Sequence, residues 1–174
     1  SPSTFKNGFK PNCLIIPSSH YRIGEEQTTC EIVNGTLLHD WDKAVDYAAE
    51  VGIKYMVCAY LSNDERGKLD HYKYVADQLN IAGEKCKKSG IQLCYHNHDF
   101  EFIKQDGKYP FDVLLATDKD LVKMEMDIYW INKAGLDPVE LFKKYPRRFP
   151  ICNIKEIHKT AQKTLKTMGT GNMM

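Results

Sequence analysis

Residues 37–60, LLHDWDKAVDYAAEVGIKYMVCAY, hold a helix, its stop signal and the strand that follows. Leu37, Leu38, Trp41, Ala44, Val45, Ala48 and Val51 recur at three- and four-residue spacing, which lays one apolar stripe along a helix. Gly52 ends that period. Residues 53–60 (IKYMVCAY) are then almost unbroken in their apolar character, the pattern of a parallel strand covered on both faces. Ser62-Asn63-Asp64 supplies the turn after it.

The same order returns downstream. Leu69, Tyr72, Val75, Ala76, Leu79 and Cys86 mark a second helix that runs into Lys87-Lys88-Ser89-Gly90, where lysines complement the helix dipole and Gly90 suits the left-handed position past the cap. Residues 91–95 (IQLCY) form the next strand. A third helix is predicted from Pro110, with Phe111, Leu114 and Leu115 inward, followed by a strand over 121–126. A fourth helix begins at Asp137 as cap and Pro138 as first helical residue, with Glu140 completing a capping box. Lys143-Lys144 and Pro146 end it, and residues 149–154 are the next strand. Upstream, Leu14-Ile15-Ile16 is a buried strand, preceded over 5–10 by what reads as a helix end. Five strands, near residues 14, 55, 92, 122 and 151, are thus separated by roughly the length of a βα unit. The whole chain, 1–174, reads as one α/β domain with a parallel sheet, either open and doubly wound or closed into a barrel. No GxGxxG or P-loop follows a strand, which weakens the nucleotide-binding version.

Composition narrows the classes. Lys and Arg number 24 against 23 Asp and Glu, a net charge of +1 without a basic stripe, so neither nucleic acid nor a membrane surface is expected as a partner. The six cysteines are widely spaced with no CxxC pair, and read as reduced core thiols in a reducing, cytoplasmic setting. There is no long apolar run for a membrane span and no apolar core of a signal peptide. A removed leader would leave no trace in these residues.

Polar residues gather past the strand ends: Ser18-Ser19-His20, His96-Asn97-His98-Asp99-Phe100-Glu101, Glu125-Met126-Asp127, and Asn153-Ile154-Lys155-Glu156. In a parallel barrel such ends converge on one mouth. Two histidines and three other polar residues within six positions cost desolvation unless they hold something. Strand alternation turns Glu125 and Asp127 the same way. Trp130 reads equally as a sugar-stacking platform or a core aromatic. Oxygen and imidazole donors without thiolates suit a divalent ion such as Mn, Mg, Co or Zn. Such an ion would polarise a sugar carbonyl while a carboxylate or histidine moves the neighbouring proton. From spacing alone, a metal-dependent hydrolase or endonuclease remains open.

The block 95–102, YHNHDFEF, resembles the signature of the sugar phosphate isomerase/epimerase family, one of the xylose isomerase-like barrels. Residues 124–135 (MEMDIYWINKAG), Asp137-Pro138 and Tyr145-Pro146-Arg147-Arg148-Phe149 are similar to that family's later blocks in the same order, and Pro17-Ser18-Ser19-His20 fits its third-strand segment. The resemblance implies a (β/α)8 TIM barrel, incomplete here: about strands 3 to 7 are present, and the first two βα units and the last strand are missing, against roughly 250 residues for the complete fold. It also implies a divalent metal with Glu101 and Asp127 as carboxylate ligands and Asn153 standing where the family has histidine. Glu101, His98 and Lys155 are the catalytic candidates, and His20, His96, Trp130 and Lys155 line the sugar site. The last metal glutamate is not among these residues.

Two readings follow. One is a metal-dependent sugar or sugar-phosphate isomerase/epimerase whose activity the missing units would compromise. The other is a non-catalytic carbohydrate-binding domain that kept the cleft, as Asn153 suggests. Either takes a small sugar or sugar phosphate, and exposed sheet edges make a homo-oligomer an expectation.

Overall fold

The computed structural model describes residues 13–16, 29–33, 41–154, 156–157 and 172–173, with side chains over 41–154. Its strands are β1 (Cys13–Ile16), β2 (Thr29–Val33), β3 (Tyr55–Tyr60), β4 (Gln92–His96), β5 (Val122–Asp127) and β6 (Ile151–Asn153). They lie in one sheet in their order along the chain. Neighbours from β2 to β6 are parallel, and β1 pairs antiparallel with β2. A doubly wound sheet reverses its strand order at a switch point, where dinucleotides bind. This sheet never reverses, so it is wound in one direction like the wall of a barrel. A further antiparallel pair joins β7 (Glu156–Ile157) to β8 (Asn172–Met173).

Helices connect the parallel strands: α1 (Trp41–Glu50) before β3, α2 (Leu69–Lys88) before β4, α3 (Pro110–Leu115) before β5, and α4 (Ile128–Lys133) with α5 (Pro138–Lys144) before β6. The first two connections close alike. Gly52 and Gly90 sit at φ 76° and 71°, and the next residue, Ile53 or Ile91, donates back to the carbonyl of Ala48 or Cys86. That is the helix ending expected of glycine past the cap. Met56, Cys58, Leu93, Tyr95, Met124 and Met126 point from the sheet to the helices and meet Trp41, Val45, Tyr72, Val75, Leu79 and Phe111 in the main core. The Trp41 indole donates to the Ala82 carbonyl at 3.0 Å and ties α1 to α2.

The structure departs from expectation in four places. Thr29–Val33 is a strand that the sequence reading leaves out. The strand at Leu14–Ile16 is present, but it runs antiparallel, so its C-terminal end points away from the others'. A short helix, α4, follows β5 directly, capped by Asp127. The cap of α5 is half as expected: Asp137 Oδ1 accepts from Val139 N–H at 2.8 Å, while Glu140 pairs with Lys143 instead of closing a capping box. The segments at 5–10 and 34–40 lie outside the described residues, where the first described helix begins at Trp41. Cys58, Cys86 and Cys152 are free thiols. No described helix is long and apolar enough to cross a membrane.

Helix α2 lies so close to the β5 edge that a Cβ on Gly83 would stand 2.8 Å from the Leu121 carbonyl oxygen. Backbone cannot yield there cheaply, so Gly83→Ala is expected to destabilise the chain by about 1–3 kcal/mol. A thermal melt measures this, and an unchanged melting temperature would contradict the packing described.

Candidate functional site

The face of the sheet turned away from the helices begins as a small apolar cluster of Val57, Cys94 and Ile151. Two residues further along β4 and β5, the same face carries His96, Glu125 and Asp127. Strand alternation puts them there, and the register sets His96 beside Glu125 and Asp127 beside Asn153. His96 is 5% exposed, Glu125 1% and Asp127 0%. The imidazole stands between the two carboxylates, with Nε2 3.2 Å from Asp127 Oδ2 and Nδ1 3.6 Å from Glu125 Oε1. Burial works against its charge, but Asp127 and Glu125 outweigh burial and raise the pKa to about 9. His96 is therefore an imidazolium at neutral pH, with both ring nitrogens protonated.

Glu101 arrives by another route. After β4 the chain makes a single 3-10 turn, Phe100–Phe102, which brings the Glu101 carboxyl back over the strand it has left. The Tyr95 hydroxyl donates to Oε1 at 2.6 Å and the His98 backbone N–H donates to Oε2 at 2.8 Å. Burial pushes the carboxyl up to about 7, with those donors and the His96 charge acting in the opposite sense. A carboxyl near neutrality can both accept and release a proton. The Tyr95 hydroxyl, buried beside it, is held well above its ordinary range.

Asp127 is fixed from three sides. Asn97 accepts from the Asp127 N–H at 2.9 Å and donates to its carbonyl at 3.3 Å, a reciprocal pair across β4 and β5. The Asp127 side chain then accepts from Trp130 N–H at 3.2 Å, capping α4. That turn lifts the Trp130 ring beside His98, their centroids 5.4 Å apart. His98 also stacks on Phe100 at 5.3 Å, meets Tyr60 edge-on at 5.2 Å and stands 4.9 Å from His96. Lys133 lies 4.4 Å over Trp130 and 2.8 Å from Asp99. A wall of rings thus rises from the buried His96 to the surface.

Of the residues singled out from sequence, His96, His98, Glu101, Asp127 and Trp130 come together at the ends of β4 and β5. Asn153 is half-buried next to Asp127 on β6. His20 and Lys155 lie outside the described residues. Tyr60 also belongs to the site, yet the sequence reading passes over it; Tyr95 and Asn97 stand in the block quoted from the sequence, which gives neither a role of its own. The alternation of strand β4 carries no hint that Asn97 reaches a residue 30 positions away.

Glu101, Glu125 and Asp127 bury three carboxylates against one imidazolium. These are hard oxygen donors in negative surplus, and their chemistry fits a divalent cation. Their number does not complete a ligand set: among the described residues no three His, Cys, Asp or Glu side chains are grouped to hold a metal ion.

Comparison with known proteins agrees with this fold. The family described as xylose isomerase-like TIM barrel matches residues 14–172. An inosose dehydratase from Clostridium perfringens is 30% identical over 108 residues, covering 62% of this chain and 34% of that relative's length. A sugar phosphate isomerase/epimerase from Parabacteroides distasonis superposes with a TM-score of 0.64 at 34% identity, covering 76% of this chain and 49% of the other. An IOLI protein with a binding zinc atom shares the fold at a TM-score of 0.58 and 11% identity, covering 75% of this chain and 52% of its own. The chain thus matches a third to a half of the length of these relatives.

Both perturbed groups hold protons more tightly folded than unfolded, Glu101 rising from 4.5 to about 7 and His96 from 6.5 to about 9. Their contributions are fully present below the unfolded values and are lost as pH rises through the folded ones, by roughly 3 kcal/mol each. Thermal melts of the metal-free chain are expected to show stability falling between pH 5 and 9, with His96→Gln removing the upper part of the fall. A profile that is flat or rising above pH 6.5 would contradict the assignment.

Proposed function

The chain belongs to the xylose isomerase-like TIM barrel family, and from that membership and the site geometry we propose that it is part of a metal-dependent sugar or sugar-phosphate isomerase/epimerase. The observation that carries the proposal is the Glu101 carboxyl, buried, hydrogen-bonded by Tyr95 and raised to about 7 at the end of β4. Proton removal next to a carbonyl needs such a group within reach of the substrate carbon. The dehydratase name of the Clostridium relative is compatible with this class, because loss of water beside a ketone can begin with the same proton transfer.

In this reading Glu101, Asp127 and Asn153 are the described residues that would hold a divalent ion, completed by donors from elsewhere. When bound, that ion supplies the positive charge that polarises a sugar carbonyl. The remaining roles belong to the chain's own groups. Glu101 moves the proton, with His98 and Lys155 as its partners on the substrate side. His96 holds Asp127 in place and balances its charge. Trp130 and His98 offer ring faces to the apolar side of a sugar, which His20 would close from the other edge. Free thiols at Cys58, Cys86 and Cys152 favour a cytoplasmic setting.

A non-catalytic carbohydrate-binding role is the second reading, favoured by one observation. Asn153 occupies the position beside Asp127, and an amide oxygen binds such a metal more weakly than an imidazole.

Elemental analysis of the purified chain separates the two readings. About one divalent ion per chain is expected, lost in both Glu101→Gln and Asp127→Asn; no bound metal in the parent chain would favour the binding domain. Asn153→His is expected to tighten metal binding by about tenfold or more, and an unchanged affinity would remove residue 153 from the site. For the chemistry, solvent deuterium should enter the sugar carbon next to the carbonyl, followed by proton NMR, with Glu101→Gln slowing exchange by about 10²–10⁴-fold. Exchange at an unaltered rate in that variant would exclude Glu101 as the base.

A further inference from the structure

A guanidinium stands at the outer end of the ring wall. Arg66 follows the 3-10 turn Asn63–Glu65 beyond β3, and its side chain folds back across the wall, with Cζ 3.9 Å from the Phe100 centroid and 5.1 Å from that of Tyr60. Nε and Nη2 donate to Asn63 Oδ1 at 3.1 and 2.5 Å, and Nη2 donates to the Tyr60 hydroxyl at 2.9 Å. Both acceptors are neutral. Among the described residues no carboxylate pairs with Arg66 and none of its neighbours accepts from Nη1. The cation on the far side of the wall is different, since the Lys133 ammonium is neutralised by Asp99.

A guanidinium held by neutral acceptors and a ring face has lost its freedom without losing its charge. That is the state in which arginine binds a planar or tetrahedral oxyanion with two parallel hydrogen bonds. Its position relative to the buried carboxylates matters equally. From Phe100 the row of rings passes to His98 in 5.3 Å and to His96 in another 4.9 Å. Burial raises the hydroxyl of the buried Tyr72, on which Glu101 and Arg66 act with opposite signs. One end of the row is negative and proton-active, and the other is an uncompensated cation.

We infer that Arg66 is the residue that selects an anionic sugar, taking its phosphate or carboxylate at the outer end of the ring row while the carbon to be deprotonated lies at Glu101. The inference rests on the cleft being a sugar site, and it names the substrate class of that site.

Calorimetric titration of the full chain with fructose 6-phosphate, glucuronate and fructose tests it at low salt. At least one of the two anions is expected to bind about tenfold or more tightly than fructose, and which of them does so tells phosphate from carboxylate. Arg66→Met should abolish that difference with fructose affinity unchanged, and Arg66→Lys should keep part of it. An anion preference that survives in Arg66→Met, or equal weakening of all three ligands, would overturn the inference and leave Arg66 as a brace for Phe100. A second probe needs no variant: inorganic phosphate should shift the Arg66 Nε–H resonance of the parent chain saturably. If that shift occurs while no sugar binds, Arg66 stands as an anion seat and the sugar reading fails. If phosphate leaves the resonance unmoved, the anion seat itself is refuted.

Discussion

The site depends on a single imidazole held between two buried carboxylates. His96 on β4 can meet both Glu125 and Asp127 only because β4 and β5 are parallel in one register, with His96 beside Glu125 and Asp127 one side-chain step further along the same face. A slip of one residue would replace both carboxylates with Met124 and Met126, which now face the helices. The register is guarded from both faces: the methionines belong to the main core, and the Asn97–Asp127 reciprocal hydrogen bonds lock the strand ends. Packing on one face therefore sets the electrostatics of the other.

That coupling explains how three carboxylates can be buried together. An unpaired carboxylate out of water is costly, and the chain meets this cost differently at each one. Asp127 and Glu125 share the His96 charge. Glu101 has the Tyr95 hydroxyl and a backbone N–H, and keeps its proton to about pH 7. The negative surplus draws cations inward, and the ring wall carries the contrast outward to Arg66. Polarity along this row thus runs from negative to positive over three rings.

Much of the architecture was legible in the residues because each unit repeats one local grammar. The apolar runs at β3 and β4, the stripe of α2, and Gly52 and Gly90 past their helices all have local physical causes. The block from His96 to Glu101 was legible as a site because its polarity contradicts the apolar strand before it. What escaped had weaker or non-local signals. β2 is short and carries Glu31 in its middle, although Thr29, Ile32 and Val33 before Asn34-Gly35 were a usable hint. α4 is barely more than one turn and starts on the residue that ends β5. The pairing of Asn97 with Asp127 and the stack of Arg66 on Phe100 span 30 and 34 residues, so they exist only once the sheet is assembled.

The most direct test is the titration of His96 itself, followed through its ring nitrogen and carbon resonances in the metal-free chain. Both nitrogens are expected to stay protonated through neutral pH, with a midpoint at about 9. A midpoint at or below the ordinary 6.5 would mean that burial wins over Glu125 and Asp127, and the charge-balanced clamp on which the site is built would not exist.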